Sequence, residues 1–460
     1  MKLAYQVSDR PSAGKTLAFA LQQLLAIMAA TIAVPNIIGN GMSPTAALFG
    51  AGVGTLVYLL FTKFKSPVFL GSSFAFLGSM GTAFAGAATV GLGYLGLVFG
   101  AVFAGLVYVV IAIAVKLAGV DWINKLMPAV VIGPTVAIIG LSLAGNAVGD
   151  LQKGSYLVEV VDDAGVASMV PTASVYVALI CGLVTLAVTM ICSVYGKKMM
   201  KMIPFIIGIL AGYVVALIFT VIGNTTANDA LKIINLDAFK QLTDGGVGLH
   251  TFLSAPEFTF VKAFGAFEEL NGEYLGTIAV AYIPVAFVVF AEHIADHKNI
   301  SSIIEKDLLK EPGLHRTLLG DGVGSMAGAF FGGCPNTTYG ESIGCVAISG
   351  NASIVTILTT AVLAMAIAFL TPFSVFLSTI PSCVMGGVCI ALYGFIAVSG
   401  LKMVQKVDLE DNRNLFTASV ILIIGIGGLT VSFGKVTITT VACALILGIL
   451  TNFLLRGKKK

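Results

Sequence analysis

Long apolar stretches separated by short polar segments run through the whole sequence. A helix needs about 20 mostly apolar residues to cross the hydrocarbon core of a bilayer. Fourteen stretches of this kind are present, seven on each side of the polar segment 224–275, so the pattern predicts an all-α polytopic membrane protein with fourteen transmembrane segments. Their approximate bounds are 16–38, 45–62, 66–86, 90–115, 127–146, 172–194, 203–223, 276–297, 316–333, 336–350, 353–370, 382–399, 414–432 and 436–455.

The positions of the basic residues predict how these segments are oriented. Lys and Arg accumulate in loops on the cytoplasmic side of a membrane. If the N-terminus is cytoplasmic and the segments alternate sides, most of the 26 basic residues fall inside. The exceptions are Lys153, Lys232, Lys240, Lys262 and Lys435. We therefore expect a multi-pass protein of the inner, cytoplasmic membrane with both termini in the cytoplasm.

The composition agrees with lipid as the main surroundings of the chain. It is 57% hydrophobic and 11% charged, whereas soluble domains are about 25% charged. Its seven Cys lie in or beside apolar stretches without a CxxC pair, a pattern that argues against a disulfide framework or a zinc site. We expect the lipid bilayer as a partner, and no nucleic acid.

Polar, extended-looking segments interrupt two of the predicted spans. They are Gly71–Phe76 in the third span and Pro335–Glu341 in the tenth, which is the third span of the second half. Ser, Thr, Asn and aromatic residues favour turns or strands over helix. Non-helical backbone at membrane depth is tolerated where protein or a water-filled cavity satisfies it, and paired breaks point to a substrate site. The half-helices that follow the breaks would direct free N–H groups at that site.

Seven spans in each half is an odd number, so a structural repeat in the second half must enter the membrane inverted. Inverted repeats are a recurrent architecture of secondary transporters. We therefore predict a first seven-span repeat at 1–223, an outside loop at 224–275 and a second seven-span repeat at 276–460. The count alone supports this repeat, because the two halves share little residue-level similarity.

Two glutamates, Glu292 and Glu341, stand in otherwise apolar spans. A charge at the bilayer centre costs at least ~2.5–3.5 kcal/mol, so such groups face the bundle interior and usually have a function. Desolvation favours the neutral form of a carboxyl group, so either glutamate could hold a proton near neutral pH. The proton is thus the expected coupling ion of a carrier without any other cofactor. The alternative is a buried glutamate that only bonds across helices.

Other polar residues in the spans have more than one interpretation. Asp321 is a third candidate carboxylate or a helix-start residue, and Gln22 and Gln23 can bond across helices or to solute. His293 and His297 are four residues apart and could bind zinc in a membrane metalloenzyme. Because the glutamate precedes both histidines and Lys298 places His297 at the cytoplasmic interface, we expect His293 to bridge helices and no metal to bind.

The motifs around these residues resemble those of the nucleobase–ascorbate transporters. They are Ala-Glu-His in the eighth span, Gly-Asp-Gly in the ninth and Pro335–Gly344 in the tenth, the last being most similar to the bacterial uracil permease branch. The resemblance begins at Ser8 and continues to the last helix. It implies core spans 1–4 and 8–11, gate spans 5–7 and 12–14, and short strands in spans 3 and 10 that meet at the substrate. It also implies uracil as substrate, proton symport by alternating access, no enzymatic activity and a possible homodimer through the gate domain.

Site residues follow from the resemblance position by position. Glu292 and Glu341 match the substrate-binding glutamates, and Phe74 matches the aromatic residue that packs on the base. Three positions match residues near the ligand whose backbone groups contribute: Ala30, Tyr339 and Gly340. The expected network for proton coupling contains Glu292, His293, Asp296, Asp321 and Ser342, of which Asp321 matches an aspartate tied to transport activity.

The sequence departs from the family pattern at four positions. Ser342 replaces an Asn of the signature and Ser349 replaces its Thr. Asp296 stands where related permeases can carry a His implicated in coupling, and Gln23 stands where many members have a first-span His. These departures concern the proton route and substrate preference rather than the general assignment.

Two other classes of substrate stay open at this point. A xanthine or uric acid carrier of the same family would more often show Gln at position 341 and a purine-sized pocket. An anion exchanger or channel of the same fold would place a cation or bare helix dipoles at the site rather than two glutamates.

Overall fold

The computed structural model describes residues 3–119, 122, 127–161, 167–197, 199–244, 246–433 and 436–455. Several basic residues used for the orientation prediction lie outside the described residues: Lys2, Lys125, Lys198, Lys435, Arg456, Lys458, Lys459 and Lys460.

Helices dominate the first half of the chain. In order, its helices and strands are α1 (Ala13–Ile38), α2 (Pro44–Phe61), β1 (Leu70–Ser72), α3 (Leu77–Ala85), α4 (Val90–Ala118), α5 (Ala129–Ser142), α6 (Ala144–Asp150), β2 (Leu157–Val161), β3 (Ala167–Pro171), α7 (Val175–Tyr195), α8 (Met199–Met202), α9 (Pro204–Thr225), α10 (Asp237–Gln241) and α11 (Leu249–Phe252).

The second half has the same character. Its elements are α12 (Thr259–Phe264), α13 (Gly272–Ile304), α14 (Leu314–Gly332), β4 (Asn336–Thr338), α15 (Gly340–Ser349), α16 (Ile354–Ile367), α17 (Thr371–Ser378), α18 (Ser382–Val404), α19 (Asn412–Ile426), β5 (Val431–Phe433), β6 (Val436–Ile438) and α20 (Thr440–Leu454).

The chain forms two compact units. The first unit contains Met1–Ser142, Pro256–Ala366 and Phe395–Lys460, and the second contains Leu143–Ala255 and Ile367–Gly394. The predicted division into seven-span repeats with core and gate spans follows other boundaries and stays a prediction.

Eight helices in the described part of the chain are long and apolar enough to cross a membrane, and four shorter apolar segments have 10–17 residues. Side-chain caps fix where several of them begin. Ser43 accepts from the backbone of Ala46 at the start of α2, and Asn271 accepts from that of Tyr274 at the start of α13. The chain is thus mostly helical with several apolar spanning helices, while the count of fourteen crossings and their inverted arrangement stay predictions.

In the first unit, glycines allow helices to approach backbone to backbone. α14 lies against both α2 and α4. A methyl group added to Gly54 of α2 would come within 2.7 Å of the carbonyl oxygen of Gly324 in α14, and the reverse substitution would be equally close. Small residues at such crossings suit membrane helices, because packing rather than water exclusion drives their association.

The second unit is held by α7 and α9, which pack against each other. The hydroxyl groups of Tyr213 in α9 and Thr379, which follows α17, lie 2.9 Å apart. The backbone N–H of Cys383 donates to the carbonyl of Lys153 at 3.0 Å. β2 and β3 pair antiparallel in the segment 147–171, which lies between the fifth and sixth predicted spans.

The two breaks in the predicted spans are strands, and they pair with each other. β1 and β4 run antiparallel, with Leu70 opposite Thr338 and Ser72 opposite Asn336. Each strand is followed at once by a helical segment: a short 3₁₀ turn and α3 after β1, and α15 after β4. This small sheet positions the site described below.

The thirteenth and fourteenth predicted spans are shorter than expected. α19 ends at Ile426 and α20 begins at Thr440, and the antiparallel strands β5 and β6 lie between them. Runs of Val, Thr and Ile suit strands as well as apolar helices, so the hydrophobic pattern alone did not reveal this hairpin.

Candidate substrate site

A cavity opens beside the paired strands, and we call it the strand cavity. Residues from both breaks, from α5, from α13 and from α18 line it. These are Ser73, Phe74, Ala75, Val136, Ile139, Glu292, Thr337, Thr338, Tyr339, Gly340, Glu341 and Ile396. All of them belong to the first unit. The cavity combines apolar walls with convergent polar groups, which is the usual composition of a small-molecule site.

Backbone hydrogen bonds hold the two breaks in register at this cavity. The N–H of Ser73 donates to the carbonyl of Pro335 at 2.9 Å, which extends the β1–β4 pairing by one step. The Tyr339 hydroxyl donates to the carbonyl of Ser72 at 2.7 Å. A side chain on Gly71 would collide with the Tyr339 ring, so glycine is required there. The Tyr339 side chain therefore bonds to β1 and holds the two strands together. The main chain of Tyr339 lies at the cavity.

The helix that begins at Gly340 starts at the cavity. The first backbone N–H groups of a helix have no partner within it, and they form the positive end of its dipole. Tyr339, which precedes α15, provides no side-chain cap. The main-chain N–H groups of this first turn therefore lie beside Glu341, whose carboxylate accepts a hydrogen bond from its own N–H.

The structure brings Glu292 and Glu341 together. Both line the strand cavity and both are partly exposed to it. They are close enough to interact electrostatically. Phe74 lines the same cavity and is 9% exposed. Two carboxylates, an aromatic side chain and the first main-chain N–H groups of α15 thus lie around one small space.

Asp296 lies one helical turn beyond Glu292 and contacts the same strand pair. Its carboxylate accepts a hydrogen bond from the Thr338 hydroxyl of β4 at 2.7 Å. It also lines a second cavity of about 810 Å³ that continues along α5, α13 and α18 and includes Lys298 and Lys402. On α13, Glu292 therefore faces the strand cavity and Asp296 faces the second cavity. Through its bond to Thr338, Asp296 also contacts β4.

Ser342 joins three elements behind the cavity. Its hydroxyl oxygen accepts from the side chain of Gln23 at 2.6 Å and from the backbone N–H of Phe69 at 3.1 Å. Gln23 thus bonds across helices, from α1 to α15. Neither Gln22 nor Gln23 is among the described residues that line the cavity.

Ser342→Ala is expected to destabilise the folded protein, because it leaves the buried Phe69 N–H without its acceptor and leaves the Gln23 amide only the longer bond of 3.3 Å to the Ser342 carbonyl. Leaving buried donors unpaired costs about 1–3 kcal/mol. The measurement is the thermal midpoint of the detergent-solubilised protein. Ser378→Ala is the control, since Ser378 is exposed and its hydroxyl bonds only within its own turn. An unchanged midpoint for Ser342→Ala would contradict the linking role.

His293 bridges α13 and α14. Its Nδ1 lies 2.7 Å from the Asp321 carboxylate, and its Nε2 lies 3.0 Å from the Thr317 hydroxyl. Asp321 is 1% exposed, so it lies in the interior of the unit rather than at a helix start on the surface. Two helices that meet through a buried His–Asp pair are held in one relative position.

His297 extends this network on the other side. Its Nδ1 lies 2.8 Å from the carbonyl of His293, and its Nε2 lies 2.7 Å from the Tyr58 hydroxyl, which donates to Ser66. His297 is 0% exposed, and α13 continues beyond it to Ile304. Its expected place at the cytoplasmic interface stays a prediction. Protein groups occupy both ring nitrogens of both histidines, which leaves them unsuited to a metal. Among the described residues no group of three or more candidate ligands occurs.

Sequence reasoning did not identify every residue that lines the strand cavity. Ala30 is buried in α1 and is not among the described residues that line the cavity, so its place near the ligand stays a prediction. Ser73 and Thr337 line it, and their place in the two polar breaks was a usable signal. Val136, Ile139 and Ile396 form its apolar wall. Nothing in the sequence distinguishes these three from other apolar residues of long spans.

Comparisons with known proteins agree on one family. The family model described as Permease family matches residues 14–433. The chain is 37% identical to the uracil permease of Bacillus subtilis, over 100% of this chain and 97% of that protein. It is 38% identical to the uracil permease of Bacillus caldolyticus, over 99% and 96%, and 34% identical to the uracil permease of Escherichia coli K12, over 97% and 92%.

Solved structures share the fold at low sequence identity. The transmembrane domain of a cyanobacterium bicarbonate transporter gives a TM-score of 0.62 at 14% identity and covers 98% of this chain and 99% of that chain. The murine Solute Carrier 26 family member A9 anion transporter gives 0.61 at 12% identity and covers 97% and 69%. The apolar helices and the named relatives identify a multi-pass membrane transporter and not an enzyme. The chain belongs to the Permease family, and the resemblance that its motifs indicated is confirmed.

Proposed function

We propose that this permease carries uracil across the cell membrane together with a proton. The observation that carries the proposal is the convergence of Glu292 and Glu341 on the strand cavity. The names of the full-length relatives support the same substrate. Within this proposal both termini are cytoplasmic, as the distribution of basic residues indicates, and two copies associate through the predicted gate spans.

The chemistry of the strand cavity suits the uracil ring. Uracil has two N–H donors and two carbonyl acceptors on a flat ring. An ionised carboxylate only accepts hydrogen bonds, so Glu292 and Glu341 can each take one N–H. The N–H groups at the start of α15 can donate to a carbonyl, and Phe74 can stack on the ring face. A site of this kind rejects analogues that leave its polar groups unpaired.

Proton coupling follows from the row of carboxylates. Glu292 lies within electrostatic range of both Glu341 and Asp296. Like charges in a desolvated space oppose each other, and one bound proton removes part of that repulsion. Because Glu292 interacts with both of the others, its protonation relieves both repulsions. We propose Glu292 as the principal proton carrier.

Alternating access completes the proposed mechanism. The strand cavity and the second cavity lie along the same three helices, and Asp296 contacts the strands from the second one. Movement of core spans against gate spans would open the loaded site to the second cavity. Because β4 and α13 both belong to the predicted core spans, the Thr338–Asp296 hydrogen bond would move together with the loaded site.

Two rival substrates fit the site less well. Xanthine or uric acid would meet a glutamate at position 341, where the related purine carriers more often have glutamine. The structural neighbours include anion transporters, but two carboxylates facing the cavity repel an anion unless one is protonated. Shared fold alone does not transfer function.

Uptake of labelled uracil into proteoliposomes tests the proposal. We expect an inward proton gradient to drive accumulation, a protonophore to abolish it, and 5-fluorouracil to compete better than thymine or xanthine. Stronger competition by xanthine would favour the purine alternative. Accumulation that is insensitive to the protonophore would contradict proton coupling while leaving the substrate assignment intact.

A further inference from the structure

Three aliphatic side chains line the strand cavity from helices that contribute none of its polar groups, and we call them the aliphatic wall. They are Val136 and Ile139 of α5 and Ile396 of α18. Val136 and Ile139 are three residues apart and therefore lie on one face of α5. The polar groups assigned to the site come from α13, from the two breaks and from the start of α15. Hydrogen bonding and apolar contact are thus divided between different elements.

A close crossing of α5 and α18 fixes the shape of the aliphatic wall. A methyl group added to Gly400 of α18 would come within 2.3 Å of the Ala137 nitrogen and 2.5 Å of the Gly133 carbonyl oxygen, so the two backbones are in contact. Ile396 lies one turn before Gly400, and Val136 adjoins Ala137. Val and Ile side chains are stiff at χ1 because they branch at Cβ. The wall therefore has little freedom to move away from a larger ligand.

The uracil ring has one polar edge and one apolar edge. N1–H, the C2 carbonyl, N3–H and the C4 carbonyl follow one another, and C5–H and C6–H complete the ring. Glu292, Glu341 and the N–H groups of α15 can bond only to the polar edge. A polar edge placed against aliphatic groups would lose its hydrogen bonds, whereas C–H groups lose none there. The C5–H and C6–H edge is therefore the part of the ring that suits the wall.

We propose that the aliphatic wall contacts the C5–C6 edge of the substrate and determines which substituent C5 can carry. This inference rests on the proposed function and deepens it. Hydrogen and fluorine at C5 fit, whereas the methyl group of thymine meets the branched side chains of Ile139 and Ile396. A hydrophobic pocket discriminates one methyl-sized group by about 10- to 200-fold, so the wild type binds uracil more tightly than thymine by a factor in that range. The substrate class is a pyrimidine with a small atom at C5.

Truncation of the wall tests this assignment. Binding of uracil, thymine and 1-methyluracil to the purified wild type, Ile139→Ala and Ile396→Ala is measured by competition against labelled uracil. Both variants remove carbon atoms from the wall and open space beside C5. Thymine binding is therefore expected to strengthen, and the uracil-to-thymine affinity ratio to fall about 10-fold or more. 1-Methyluracil carries a methyl group of the same size on the polar edge, and its binding is expected to stay as weak as in the wild type.

Three further variants complete the test. Ile138→Ala is the matched control and is expected to keep the wild-type ratio. Ile138 is also buried in α5, but it packs against α19, where a methyl group on Gly425 would come within 2.5 Å of it, and it is not among the described residues that line the cavity. Val136→Ile enlarges the wall and is expected to weaken 5-fluorouracil binding relative to uracil. Ile139→Val removes a single carbon, so it shifts the ratio partway and can be measured even if Ile139→Ala does not fold.

Failure of the wall assignment and failure of the uracil assignment give different results. An unchanged uracil-to-thymine ratio in the Ile139 and Ile396 variants, or an equal gain for thymine and 1-methyluracil, would overturn the wall assignment alone. A wild type that binds thymine as well as uracil would overturn it too. If the wild type binds xanthine more tightly than uracil, the uracil assignment is wrong, and the variants are measured with 8-methylxanthine, whose methyl group replaces the C–H of xanthine. A gain in its binding supports the wall, and no gain overturns it.

Discussion

Glu341→Gln is expected to abolish uracil binding, and Glu292→Gln is expected to impair proton-coupled uptake at least as severely. Glutamine keeps the size of the side chain but replaces one acceptor oxygen with an NH₂ group that points a donor at a ring N–H. Loss of a hydrogen bond to a charged group costs about 1.5–3 kcal/mol, which is roughly 10- to 150-fold in affinity, and the donor–donor clash adds to it. At position 292 the change also removes the proposed proton carrier.

Two assays distinguish the glutamates. Uracil binding is measured by scintillation proximity on the purified protein, and uptake is measured in proteoliposomes with and without a proton gradient. Glu268→Gln is the matched control, because Glu268 lies exposed in the loop before α13. Wild-type uptake by either site variant would refute the assigned roles. Full gradient-driven uptake by Glu292→Gln would show that another carboxylate is the proton carrier.

Gly324→Val is expected to leave little folded protein. The Cβ at this position would lie 2.7 Å from the Gly54 carbonyl oxygen and 2.9 Å from a methyl carbon of Leu70. Leu70 begins β1, so the insertion separates α14 from α2 and displaces a strand of the site. Overpacking of this kind typically costs 1–3 kcal/mol and here falls at or above about 3 kcal/mol, because a backbone oxygen cannot move aside.

Fluorescence-detected size-exclusion chromatography of a tagged protein measures the folded fraction. Gly276→Val is the matched control, since Gly276 is also in a membrane helix and a Cβ there meets nothing within 4 Å. We expect the control to give a wild-type monodisperse peak and Gly324→Val to give aggregate. A normal peak for Gly324→Val would show that the two helices can separate without loss of the fold.

The sequence predicted the helices and the two breaks well, because each has a local signal. Apolar length reveals a spanning helix, and Asn336, Thr337 and Thr338 are poor helix formers in an apolar context. Glu292 and Glu341 were recognisable because charge in an apolar stretch is costly. That the two breaks pair with each other was an expectation from family resemblance, and the register could come only from the structure.

Other features depend on contacts between distant segments. The His293–Asp321 pair forms only if α13 and α14 face each other with these two side chains, and nothing in the sequence near either residue identifies its partner. The pairing of β5 with β6 was not predicted, because the residues of these strands are as apolar as those of the helices beside them.

The pairing of β1 with β4 has a consequence for biosynthesis. Ser72 and Tyr339, which join the two breaks, are 267 positions apart in the chain. At about 5–20 residues per second, the first strand waits roughly 15 to 50 seconds for its partner to leave the ribosome. During that time its backbone groups must be satisfied by water, the insertion machinery or chaperones. A chain interrupted before α15 therefore lacks half of the site and also keeps an open strand edge in the membrane, which marks it for quality control.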